Sequence, residues 1–252
     1  MTLQFVHLAD NDSWLGRRDA RWKLAGVLLA AVVATSLHRL FTSGIALIAA
    51  SLLVAVARLP SWWLRERLAV VGWLIGPMVL LLPWLPAGAG PVWHWGAVRL
   101  SWSGLNLALL LALKATTLAF LWCALAGTTP LPSLLHAAQA LRVPGIVVHL
   151  VLLTYRYVFL LADELARLRI ALYVRGFRAN WSWRSWRVIG QLAGILMLRS
   201  HDRAERVGQA MRCRGFDGRF RSLVCFQTSA SDLGLFAALV GTAAWLWIWD
   251  RA

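Results

Sequence analysis

GLNLALLLALKATTLAFLWCALAG, Gly104 to Gly127, carries one charge, Lys114, in an otherwise apolar run. As a helix rising 1.5 Å per residue, a run of this length crosses the roughly 30 Å hydrocarbon core of a bilayer. Four further apolar runs flank it: Leu24–Leu37, Ile45–Ala57, Leu68–Leu85 and Leu233–Trp249. The whole chain is 60% hydrophobic and contains 16 Trp in 252 residues, which sets it apart from ordinary globular composition. These runs predict an all-α, polytopic membrane protein with about five transmembrane helices. A lysine inside a span is costly, so Lys114 is expected to face protein or to snorkel.

The connections fit this reading. Arg17, Arg18, Arg21 and Lys23 stand just ahead of the first run, and no basic residue precedes them, so the N-terminus is expected to be retained rather than cleaved as a signal peptide. "SWWLRERL" reads as an interfacial segment, with Trp and Arg at headgroup depth. Gly72 and Gly76 form a GxxxG spacing, which allows close helix approach or is incidental. The breakers Pro83, Pro86, Gly88, Gly90 and Pro91 end the third run. "GPVWHWGAVRLSWSG" then reads as a Trp-rich interfacial loop.

From Thr128 to Ser231 the character changes. Fifteen of the 26 basic residues lie here, all Arg. Three helices are expected: one in "TTPLPSLLHAAQAL", with Thr129 as N-cap and Pro130 at the first helical position; one from about Ile146 to Arg175; and one from about Trp186 to Arg214. Leu150, Leu153, Tyr157, Leu161, Glu164, Leu165, Leu168 and Leu172 form a mostly apolar stripe on the second. Asp163 with Arg167 and Asp202 with Arg206 have i,i+4 spacing, which supports helix. The domains follow: 1–23, a cytoplasmic N-terminal segment; 24–127, transmembrane helices one to four; 128–231, an Arg-rich cytoplasmic segment; and 232–252, the last span and the C-terminus. Basic residues then gather on the cytoplasmic side, with the N-terminus inside and the C-terminus outside.

The net charge of +15 points first to topology and anionic lipid. Catalytic and cofactor signatures are missing. Neither lysine follows a glycine, so there is no phosphate-binding GxxxxGK[ST] loop, and there is no GxSxG or HExxH. Cys123, Cys213 and Cys225 have no CxxC spacing, and no two of the six histidines stand at helical ligand spacing. His7 with Asp10 is a weak pair. No cofactor and no metal site are expected. An enzyme acting on anionic lipid would have to use His201 with Asp202 or Glu205. "RANWSWRSWR" interleaves bases and aromatics as single-strand nucleic-acid binders do, but the same pattern suits a membrane interface, and no nucleic acid is expected as a partner.

Two short segments remain, Val174-Arg175-Gly176-Phe177 and Cys213-Arg214-Gly215-Phe216. Each closes a long helix. Glycine fits the left-handed position that ends helices, and a cation there complements the helix dipole. Recurrence with a following Phe suggests a second role, the projection of two arginines into a partner. At these residues the chain resembles the transmembrane T component of energy-coupling factor (ECF) transporters, closest to the CbiQ type of cobalt importers. That family's marker is a pair of Ala-Arg-Gly motifs; here Val174 and Cys213 replace the alanines. "RRDARWKL" resembles the family's Asp-Pro-Arg-x-Lys motif, with Ala20 in place of Pro. "TTPLPSLLHAAQALRVP", "LLTYRYVFLLADELARLRIA" and "LRSHDRAERVGQAMRCRGFDGR" resemble its coupling segments.

The resemblance implies a non-catalytic subunit of an ATP-driven importer in the bacterial cytoplasmic (inner) membrane. It implies two CbiO-like ABC-type ATPase subunits as partners, each engaging one helix end through Arg175-Gly176 or Arg214-Gly215. Val174, Phe177, Cys213, Phe216 and Arg206 would support those contacts. It also implies a CbiM-like substrate-binding membrane subunit, with a small CbiN-like subunit, and cobalt as cargo. Nickel or a vitamin is the alternative cargo.

Overall fold

The computed structural model describes residues 15–16, 18–84, 92–95, 98–178, 180–216 and 229–251. The breakers from Pro86 to Pro91, the His7–Asp10 pair, Arg17 and Cys225 lie outside them. Among the described residues eight helices follow in order: α1 (Ala20–Ser36), α2 (Leu40–Val56), α3 (Ser61–Leu81), α4 (Trp102–Thr128), α5 (Leu131–Ala140), α6 (Gly145–Val174), α7 (Trp183–Cys213) and α8 (Ala230–Arg251). A short 3-10 turn, Leu82–Trp84, ends α3. The stretch expected to be a loop contains a two-stranded antiparallel hairpin, β1 (Val92–Trp95) with β2 (Val98–Ser101), in the register Val92 to Ser101. The rest of the described chain is the expected all-α architecture of a multi-pass membrane protein.

Three of these helices, α4, α6 and α8, are long and apolar enough to cross a membrane. The first two expected spans, α1 and α2, have 17 residues each, or about 25 Å. "SWWLRERL" is the first two turns of α3 rather than a separate segment. The α6 helix is charge-poor up to Leu161 and charged beyond it, which is why its sequence carries both an apolar stretch and an Arg-rich end.

The chain divides into two compact units, one holding α1–α5 and α8, the other α6 and α7. In the first unit α4 packs on α1, α2 and α3, while α8 packs on α1 and α2. Val27, Ala50, Leu121 and Leu125 form one buried cluster, and Leu37, Ala46 and Leu246 another. Small residues set the spacing, but not at Gly72 and Gly76, whose GxxxG spacing is the incidental one of the two readings. Gly72 and Gly76 are exposed, and a Cβ at either would meet open space. The close approaches are instead at Gly127, where a Cβ would come within 2.5 Å of Leu59, and at Gly26, 3.0 Å from Leu239. GxxxG spacing marks a smooth helix face, and only the tertiary arrangement decides whether another helix uses it.

Polar ties close both ends of this unit. Where α1 turns into α2, the Asp250 carboxylate of α8 accepts from the backbone N–H groups of His38 (2.8 Å) and Arg39 (3.0 Å) and from the Thr42 hydroxyl (2.6 Å). It supplies the N-terminal acceptor that α2's own N-cap, Arg39, lacks. Nearby, Lys114 donates to the Thr35 carbonyl at 2.8 Å, in the last turn of α1. This is the protein-facing role expected of it, with a cation on an otherwise orphaned helix-end carbonyl.

Candidate coupling surface

In the unit of α6 and α7, the predicted stripe on α6 faces α7. Leu150, Leu153, Tyr157 and Leu161 line a largely apolar crevice of about 530 Å3, closed on the other side by α7 residues from Ser200 to Met211. Glu164, beyond the lining part of α6 toward its end, bonds Arg199, just ahead of the lining part of α7, so the helices run in opposite directions. Glu164 ties them together: it accepts from Arg199 and lies 3.6 Å from Arg203. Among the described residues the Arg–carboxylate pairs of these helices cross from α6 to α7, and none forms at Asp163–Arg167 or Asp202–Arg206. A carboxylate between two guanidinium groups gains more from fixed partners on a neighbouring helix than from one exposed i,i+4 pair. His201 and Glu205 do approach each other, at 3.7 Å, but both are well exposed.

The two Arg-Gly segments have the same geometry. On α6, Arg175 is the C-cap, Gly176 has φ +77°, and Phe177 N–H donates to Leu172 C=O at 3.1 Å while Gly176 N–H donates to Tyr173 C=O at 3.0 Å. On α7, Arg214 is the C-cap, Gly215 has φ +81°, and Phe216 N–H donates to Met211 C=O at 3.1 Å while Gly215 N–H donates to Arg212 C=O at 3.0 Å. Both are complete Schellman caps, the 6→1 and 5→2 bonds satisfying the last helix carbonyls. The positive φ is the reason for glycine at each position.

Exposure also repeats. Val174, Arg175 and Gly176 are exposed, as are Cys213, Arg214 and Gly215, while Phe177 and Phe216 are half-buried. Each cap therefore holds its arginine out on a rigid turn and keeps its phenylalanine partly covered. Arg206, on α7, is exposed as well. The antiparallel pairing does not bring the two arginines together. It sets them at opposite ends of the unit, separated by about the length of α6, roughly 45 Å for its 30 residues.

The family model described as CbiQ, cobalt transport protein, matches residues 11–224. The chain belongs to the CbiQ family. This CbiQ-family chain is 32% identical over 191 residues to the cobalt transport protein CbiQ of Rhodobacter capsulatus, covering 75% of the chain and 73% of that relative. It is 22% identical over 216 residues to the energy-coupling factor transporter transmembrane protein EcfT of Limosilactobacillus fermentum, covering 82% and 81%. A putative fused cobalt transport protein CbiMQ of Methanocorpusculum labreanum is 31% identical over 91 residues, covering 36% of the chain and 15% of that relative. The chain is thus the transmembrane component of an ECF-type transporter, as its motifs suggested.

One cluster of this CbiQ-family chain was not foreseen. Thr129 does not cap α5. The N-cap is Pro130, and no side chain caps that end. The Thr129 hydroxyl instead accepts from Lys23 Nζ at 2.8 Å, and Lys23 also donates to the Leu15 carbonyl at 2.9 Å. Lys23 is 3% exposed, and burial lowers its pKa to about 8, against the raising influence of Asp232 and Asp19. Beside it Arg18 donates to the Ser231 hydroxyl and lies 3.6 Å from Asp232, whose carboxylate accepts from Ser229 N–H at the start of α8. The starts of α1, α5 and α8 are joined here. The sequence held one signal: only two of its 26 basic residues are Lys, and both make internal bonds. Among the described residues, no three His, Cys, Asp or Glu side chains form a group able to hold a metal ion.

Proposed function

We propose that this chain is the non-catalytic coupling subunit of an ECF-type importer for cobalt. In this reading Arg175 and Arg214 each enter one of two CbiO-like ATPase subunits. The observation that carries it is the pair of equal Schellman caps, each with an exposed arginine, at opposite ends of an antiparallel helix pair. Two like ends about one helix length apart match two copies of one partner better than a single binding site. A guanidinium suits such a socket because its planar fork bonds carboxylates or helix-end carbonyls bidentately and tolerates desolvation.

ATP-driven closure of the ATPase pair would then move the two ends, and α6 and α7 would carry that motion to a CbiM-like substrate-binding subunit, with a CbiN-like subunit. Residues 128–231 would face the cytoplasm with the N-terminus inside and the C-terminus outside the bacterial inner membrane. The names of the CbiQ relatives support cobalt as cargo. The test is co-purification of the ATPase subunits with the full complex carrying Arg175→Glu and Arg214→Glu. Loss of both ATPase copies in the double variant, and one copy in each single variant, is expected. Undiminished ATPase retention in the double variant would overturn the assignment. Uptake of cobalt against nickel by the intact complex tests the cargo.

A further inference from the structure

From Leu165 to His201 the chain has no carboxylate and seven arginines. Three of them, Arg178, Arg184 and Arg187, lie on the connection between α6 and α7 and on the first turns of α7, and all three are exposed. Among the described residues, none of the three has an ion-pair partner. Interleaved with them are the three tryptophans of this segment: Trp181 is 93% exposed, Trp183 79% and Trp186 52%.

The surface is ordered from within. Ser182 caps α7 by accepting from Ser185 N–H at 3.3 Å, and the buried Ser185 hydroxyl accepts from Asn180 N–H at 3.2 Å. Trp181 and Trp186 meet edge to face with ring centroids 5.7 Å apart. A folded start to the helix thus holds its largest apolar side chains outward. That arrangement is unfavourable against water and stable only against something that takes both an indole and a cation.

We propose that Arg178, Arg184, Arg187, Trp181, Trp183 and Trp186 form a docking surface for the anionic headgroup layer of the membrane. Indole rings settle at headgroup depth, and guanidinium forks pair with phosphodiester oxygens beside them. The charge is complementary over the whole segment, since no carboxylate interrupts it. Position along the helix favours lipid over nucleic acid. Further along α7, Ile195, Met197 and Leu198 are also exposed, continuing the surface with aliphatic side chains that suit acyl chains and have no use for bases. This inference stands independently of ATPase coupling.

The test uses the full chain alone, in nanodiscs of phosphatidylcholine or of phosphatidylcholine mixed with phosphatidylglycerol, and reads hydrogen–deuterium exchange over residues 178–192. Several-fold slower exchange in the anionic discs is expected. It should be reversed by raised salt and by the triple variant Arg178→Gln, Arg184→Gln, Arg187→Gln. The triple Lys variant keeps the charge and should retain most of the protection, which separates lost docking from lost folding. Equal exchange in both discs would overturn the proposal. So would protection that the Gln variant leaves intact, that soluble glycerol phosphate reproduces, or that arises only with added RNA or ATPase subunits.

Discussion

Lys23 on α1 donates to the Thr129 hydroxyl at 2.8 Å, tying the start of the first helix to the residue that precedes the Pro130 cap of α5. The two positions lie 106 residues apart. Lys23→Met leaves the Thr129 hydroxyl without its donor and the Leu15 carbonyl with Arg18 N–H alone, at a cost of about 1–3 kcal/mol. Thr129→Ser keeps the acceptor and should stay close to the parent, whereas Thr129→Val should follow Lys23→Met. Thermal unfolding of the detergent-purified chain measures all three.

The lowered pKa of Lys23 predicts a direction with pH. Between about 8, its folded value, and about 10.4, that of a free lysine, the unfolded chain binds more protons than the folded one, so stability attributable to Lys23 rises with pH. Deprotonation removes the buried charge while the neutral amine still donates to Leu15 and Thr129. The difference in melting temperature between the parent and Lys23→Met should therefore widen in the parent's favour from pH 8 to pH 10. A constant difference would place the ammonium in a better solvated site than its 3% exposure indicates.

Three helices in a row, α5, α6 and α7, are followed by a residue with positive φ: Arg142 at +73°, Gly176 at +77° and Gly215 at +81°. Left-handed backbone costs an L-residue about 1 kcal/mol relative to glycine. Arg142→Gly should accordingly stabilise the protein by up to that amount, and Gly176→Ala and Gly215→Ala should each destabilise it by a similar amount. Asn at 176 or 215 should be milder than Ala, since Asn tolerates this conformation. If the caps present Arg175 and Arg214 to ATPase subunits, both Ala variants should also weaken ATPase retention although the arginines remain.

At the other end of the first unit, Asp250→Ala removes the acceptor shared by His38, Arg39 and Thr42 and should cost about 1–3 kcal/mol in chemical or thermal unfolding. Lys114→Met removes a single bond to Thr35 C=O, for which about 1 kcal/mol is expected in a membrane setting. Transport by the Lys114→Met complex should persist, because the side chain is occupied by a neighbouring helix end.

How legible these features were depended on how local they are. The apolar runs located the helices, although α3 starts at Ser61, well ahead of the run that begins at Leu68, and the Arg-Gly-Phe repeats identified both helix ends, because hydropathy period and a left-handed glycine are properties of adjacent residues. The apolar stripe on α6 was legible for the same reason. Gly72 and Gly76 left two readings open because a glycine pair specifies a smooth face without specifying what meets it, and the close contacts fell at Gly26 and Gly127. Thr129 misled because its spacing to a following Pro fits a cap, while its hydroxyl is claimed by a lysine on another helix.

By itself the sequence determined an all-α membrane chain, its CbiQ-type motifs and the two arginines set on glycine-ended helices. Each of these follows from composition, periodicity or backbone preference over a few residues. Only the tertiary structure decided that Lys23 and Lys114 are internal ties, that Asp250 caps α2, and that opposed packing of α6 and α7 sets Arg175 and Arg214 a helix length apart. Those outcomes depend on which faces meet. In a chain where apolar surface is almost continuous, the choice is made by a few small residues and a few buried hydrogen bonds between distant positions, and hydropathy does not record it.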